Sequence, residues 1–94
     1  MIIKWTEKAR FDLQTIWDFI ASDSEFYADK YIDELLSATV VLEEFPEIGR
    51  VIPEIGDPNS RELIRGSHRI MYHVDGENIY ITQVVHCARD YKSE

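Results

Sequence analysis

The chain has 94 residues, 10 basic against 18 acidic side chains, and a formal net charge of -8. That length holds a single domain, read here as residues 1–94, with one modest core. A content of 45% hydrophobic and 30% charged residues excludes a disordered, collagen-like or disulfide-scaffold chain.

Ile2 to Trp5 reads as a short strand, and Thr6 offers an N-cap hydroxyl to a first helix. Ala9, Leu13, Ile16, Trp17 and Ile20 fall at helical spacings of three and four, with Asp12 and Asp18 pointing away from that stripe. Residues 21–24 are a break in which Asp23 or Ser24 caps a second helix. That helix runs to about Phe45, where Pro46 stops it. Its stripe is Ala28, Ile32, Leu35, Thr39 and Leu42, and the short break makes the pair an antiparallel hairpin. Val40, Val41, Leu42 and Phe45 cannot share one narrow stripe, so this end is either buried on two sides or exposed at an interface.

Residues 46–50 form a turn. Val51 to Ser60, with Pro53, Gly56, Pro58 and Asn59, is a loop with at most a brief extended piece. Arg61 to Arg65 is a strand, ended by Gly66-Ser67. Arg69 to Val74 is the clearest strand: Ile70, Tyr72 and Val74 face one way, Arg69, Met71 and His73 the other. Asp75-Gly76 signals a hairpin, and Asn78 to His86 returns with apolar residues on both faces, as a central or an interface strand would. The order is β-α-α-β-β-β. The fold class is α+β, a helical hairpin packed on one face of a small antiparallel sheet. Trp5, Phe11, Trp17, Tyr31 and Tyr72 are expected in the core, and Phe26 and Tyr27 outside it.

The acidic balance argues against a protein that coats nucleic acid. Residues 1–45 carry ten carboxylates against four basic groups, and residues 46–94 eight against six, with all three histidines in the second half. Cationic chemistry therefore belongs there. The candidate cluster is Arg61, Arg65, His68, Arg69, His86 and Arg89, in which arginine would stabilise charge and histidine move a proton, a workable set for phosphodiester cleavage. Solvated surface charges are the plainer explanation. There is no phosphate-binding glycine loop, no zinc-type cysteine pair and no His-Glu-x-x-His helix, so neither a cofactor nor a metal is expected. No apolar run reaches the ~20 residues of a membrane helix, and the start Met1-Ile2-Ile3-Lys4-Trp5 lacks a secretory pattern. A single cysteine, Cys87, cannot form an internal disulfide and reads as an inert small hydrophobe. A cytoplasmic protein with no membrane partner is the expectation.

Five segments together resemble the RelE/ParE toxin superfamily: Trp5 to Ile16, Phe45-Pro46-Glu47-Ile48-Gly49-Arg50, the Arg61-Glu62-Leu63 step, His68-Arg69-Ile70-Met71-Tyr72, and His86-Cys87-Ala88-Arg89-Asp90. The resemblance implies a small bacterial toxin of a type II toxin–antitoxin module, wrapped and neutralised by a cognate antitoxin. It implies one of two activities: RelE-like cleavage of mRNA on the ribosome, or ParE-like poisoning of DNA gyrase. Arg69 and Arg89 match the two arginines of the nucleases, and His68 and His86 would be their proton-transfer partners. Where those enzymes carry strand lysines, this sequence has Ser60 and Glu62, and Tyr91 falls out of register with a C-terminal catalytic tyrosine. Glu62 would repel a scissile phosphate. The balance favours the ParE-like, non-enzymatic plasmid-stabilisation type over a nuclease or a degenerate toxin that only binds its antitoxin. Expected partner-binding residues are Arg61, Arg65, Arg69 and Arg89, with antitoxin also covering Val40, Val41, Phe45 and the apolar strand Ile79 to Val85. A homodimer is a further possibility.

Overall fold

A computed structural model describes residues 1–88. The expected elements are present: β1 (Ile2–Trp5), α1 (Glu7–Ala21), α2 (Glu25–Val40), β3 (Ser60–Arg65), β4 (His68–Asp75) and β5 (Asn78–His86), joined by a two-residue strand β2 (Arg50–Val51) inside the segment expected to be turn and loop. Thr6 Oγ1 accepts from the Ala9 amide and Ser24 Oγ from the Tyr27 amide, so both helices start where the sequence places a hydroxyl. The second helix ends earlier than expected. After Val40 it tightens into a 3-10 turn over Val41–Glu43, because Pro46 has no amide to extend the ladder and holds Phe45 out of helical geometry.

The sheet order is β1-β5-β4-β3-β2. Its four later strands are antiparallel, but β1 pairs parallel to β5, Ile3 opposite Ile79 and Trp5 opposite Ile81. The sheet is thus mixed, a correction to the antiparallel expectation. The strand joins the far edge after the whole chain has come round, so no local turn signal encodes its direction. β5 is an inner strand, between β1 and β4. Ile79 and Ile81 are fully buried and Val84 nearly so. Within the apolar strand assigned to the antitoxin, these three side chains belong to the core.

Helices cover one face. Ala9, Leu35, Leu42, Ile70, Tyr72, Ile79, Ile81 and Val84 form the core there, with Trp5, Leu13, Ile16 and Tyr31 packed against it. Trp17 is half-buried and donates to Asp29 Oδ1 at 2.8 Å, tying the hairpin together. Phe11, expected inside, is 68% exposed, whereas Phe26 and Tyr27 lie outside as expected. The other face has its own small apolar contact. Ile52, which continues β2 by donating to the Ser60 carbonyl, is buried with Met71. Among the described residues no helix is long and apolar enough to cross a membrane.

Candidate functional site

Strand alternation divides the arginine and histidine cluster between the two faces of the sheet. His68 pairs with His86 and Arg65, on the helix side. Arg69 lies opposite Ile64 and Val85 on the other side. Arg61, Arg65, His68, Arg69 and His86 therefore do not form one patch, and Arg89 lies outside the described residues.

On the helix-free face, Arg69 is 7% exposed. Its Nε donates to Glu62 Oε1 at 2.7 Å, and its two terminal nitrogens donate to the two Glu54 oxygens at 3.0 and 2.9 Å. Glu62, itself buried, also accepts from Arg50 Nε at 2.6 Å. The bond to Glu54 and the pair with Glu62 fix the Arg69 charge, holding its pKa above the usual guanidinium range despite burial. Arg69, expected among the partner-binding arginines, has its fork filled by the chain's own carboxylates. Glu54 and Arg50 were not singled out from the sequence. A lone carboxylate inside the apolar-flanked β3 was the available signal, since a buried Glu62 requires cationic partners.

Arg61 serves the chain itself, donating to the carbonyls of Pro58, Gly49 and Glu47. Tyr72 Oη donates to the Pro46 carbonyl at 2.8 Å and accepts from the Gly49 amide at 2.9 Å. A Cβ on Gly49 would come within 2.6 Å of both the Glu62 carbonyl oxygen and Tyr72 Oη. The Pro46 to Arg50 element and the β4 tyrosine thus interlock. Arg65 is exposed.

On the helix side, a groove of about 770 Å³ runs between α1 and the end of β5, lined by Lys8, Ile16, Phe19, Ile20, His68 and His86 among others. The two imidazoles meet edge to face with centroids 5.2 Å apart. Tyr31 Oη lies 2.5 Å from His68 Nδ1 and accepts from the Ser67 amide. The Ala88 amide donates to His86 Nδ1. With its Nδ1 accepting, His86 carries a proton on Nε2. Burial, with His86 close by, lowers the pKa of His68, and burial raises that of Tyr31. Neither Nε2 has a hydrogen-bond partner among the described residues. The groove thus brings two imidazoles and a tyrosine hydroxyl together. Asp12 also turns inward here, against expectation: it accepts from the Val84 amide at 2.9 Å while ion-paired to Lys8.

A third feature is apolar. Val40 and Phe45 are more than half exposed, and Val41, Leu36 and Ile48 are exposed beside them in sequence. Cys87 is exposed and free of any disulfide. No group of three or more potential metal ligands occurs among the described residues.

Comparison with known proteins agrees with this architecture. A chain of the chromosomal ParDE toxin–antitoxin system from P. aeruginosa superposes with a TM-score of 0.75 at 26% identity, over 92% of this chain and 95% of that one. A chain of the RelBE2 toxin–antitoxin complex from Mycobacterium tuberculosis gives 0.58 at 17% identity, over 90% and 95%, and one of the YoeB–YefM complex from Staphylococcus aureus 0.57 at 13%, over 92% and 95%. The last two share the fold alone. No match was found among curated proteins. The family model described as the ParE toxin of the type II toxin–antitoxin system, parDE, matches residues 3–91, nearly the whole length, and the chain belongs to that family.

Proposed function

We propose that this chain inhibits growth by binding a protein target, with DNA gyrase the leading candidate, and that a cognate antitoxin neutralises it by covering its exposed apolar surface. The observation that carries this reading is the state of Arg69. A ribosome-dependent nuclease needs that arginine open to a phosphate, and here Glu54 and Glu62 occupy it in a buried network. Displacing them by RNA would strip the buried Glu62 carboxylate of one of its two guanidinium partners, at a cost of about 3–5 kcal/mol. A net charge of -8 adds repulsion against ribosomal RNA, which protein binding does not meet.

The antitoxin is proposed to cover Val40, Val41 and Phe45, whose exposure is unusual in so small a chain. Arg65 and Arg89 are proposed to add charge to partner contacts. The deciding experiment runs a gyrase supercoiling assay beside a translation extract, with purified chain in both. The expected result is inhibited supercoiling and intact mRNA. Codon-specific cleavage that disappears with Arg69→Ala would overturn the reading and restore the nuclease.

A further inference from the structure

The last strand ends in a turn that an imidazole holds in place. Where β5 finishes at His86, the Cys87 amide donates to the Ser67 carbonyl at 2.8 Å and the Ala88 amide donates to His86 Nδ1 at 3.0 Å. The second bond reaches back two residues, as in an Asx turn, with a ring nitrogen in place of a carboxamide oxygen. Ala88 stands in the wall of the groove between α1 and β5. The His86 ring is exposed. Edge to face with it, at 5.2 Å between centroids, lies the half-buried ring of His68, whose Nδ1 meets Tyr31 Oη. The other charged and titratable groups around the pair are Lys8 and Asp12 on α1, paired to each other, Tyr31 with Glu34 near it on α2, Arg65 opposite His68 on β3, and the Cys87 thiol. Among the described residues no carboxylate is ion-paired to either imidazole.

We propose that His86 is a pH-operated latch: the neutral ring fastens the Cys87–Ala88 turn to the end of β5, and the protonated ring lets the turn go and opens that end of the groove. The latch is a property of the chain alone, whatever its target. Its basis is a count of donors and acceptors. Neutral His86 has a proton on Nε2 and a lone pair on Nδ1, and the Ala88 N–H occupies that lone pair. The imidazolium has no lone pair to offer. Its new Nδ1 hydrogen points at the Ala88 amide hydrogen across the 3.0 Å that the bond spanned, so two donors face each other and the turn moves away. His68 answers a proton differently. Tyr31 Oη has both a hydrogen to give and lone pairs to accept with, so it stays bonded to Nδ1 whichever of the two carries the proton. Burial, and then the neighbouring His86, penalise charge on His68. The exposed ring is the one that can carry a hydrated charge, and the turn it holds is the part that responds.

The test follows the Ala88 amide of the full chain by nuclear magnetic resonance across the range of about pH 8 to about pH 5 in which histidine changes charge. On the neutral side this amide is expected to be protected from exchange about threefold to tenfold relative to an open turn, the worth of one net hydrogen bond. That protection is expected to disappear along the same curve as the His86 ring resonances titrate, and the backbone order parameter of Ala88 is expected to fall with it. His86→Asn supplies a side-chain oxygen near the position of Nδ1 and does not titrate, so its Ala88 amide is expected to stay protected down to the lowest pH. His86→Ala is expected to lack the protection throughout, and His68→Gln to keep the transition. If a variant fails to fold, the titration of the unaltered chain decides alone. Protection that persists while the His86 ring titrates, or that survives in His86→Ala, would overturn the latch. A transition that vanishes in His68→Gln would move the titration to His68 and overturn the assignment. An Ala88 order parameter unchanged across the titration would overturn the release of the turn.

Discussion

Glu62 carries two guanidinium groups on one buried carboxylate, and the rest of that face depends on it. With Glu62→Ala, Arg69 would keep only Glu54, and Arg50 would lose its bond. Removing one partner of a buried pair typically costs ~3–5 kcal/mol, against ~0–1 for an exposed pair. The urea midpoint of Glu62→Ala is expected to fall accordingly, and a midpoint near the parent's would mean the carboxylate is solvated. Gly49 is sensitive for a steric reason. Gly49→Ala places a methyl group against backbone and Tyr72 Oη, and a loss of ~1–3 kcal/mol is expected in the same measurement. His68 gives a pH prediction. Its folded pKa lies below the unfolded value because burial, then His86, disfavours its charge. The unfolded chain therefore binds the proton first as pH falls. This contribution to stability is complete above about pH 6.5, the unfolded value, and declines as pH drops below it. The decline in melting temperature is expected to be shallower in His68→Gln, and an identical slope would exclude His68 as its source.

At the level of elements, the hairpin meets the sheet through α1 against β5 and α2 against β3, over the core on that face. Leu35 and Ile70 are both fully buried there. Leu35→Ala and Ile70→Ala are each expected to lose ~2–5 kcal/mol, a large share of a small domain's stability. A melting temperature within a degree or two of the parent's would contradict their core role. The exposed end of α2 behaves differently. Val40→Lys and Phe45→Lys are expected to leave the melting temperature nearly unchanged while weakening neutralisation in a growth-rescue assay. A large loss of stability would show these side chains to be structural. Thr6 joins elements that sequence reading treats separately. One hydroxyl caps α1 and closes the junction between β1 and β5.

Across the whole molecule, helices, hairpin turn and core stripes were legible from the sequence because they depend on periods of 3.6 and 2 and on local caps. Even the separation of His68 from Arg69 was implicit in strand alternation, since neighbours on a strand face opposite ways. Reading the two as one patch ignored that parity. The resemblance carried by the five segments pointed to the toxin superfamily, and the family match over residues 3–91 agrees. Only the tertiary structure decided the rest. The parallel pairing of β1 with β5, the capture of Arg69 by Glu54 from a loop, and the docking of Tyr31 on His68 join residues distant in sequence. Their partners are chosen by which faces and edges meet after folding. A sequence lists an arginine as a charge. Whether that charge is offered to a ligand or spent on the protein's own carboxylates depends on burial and long-range geometry, which no local pattern encodes.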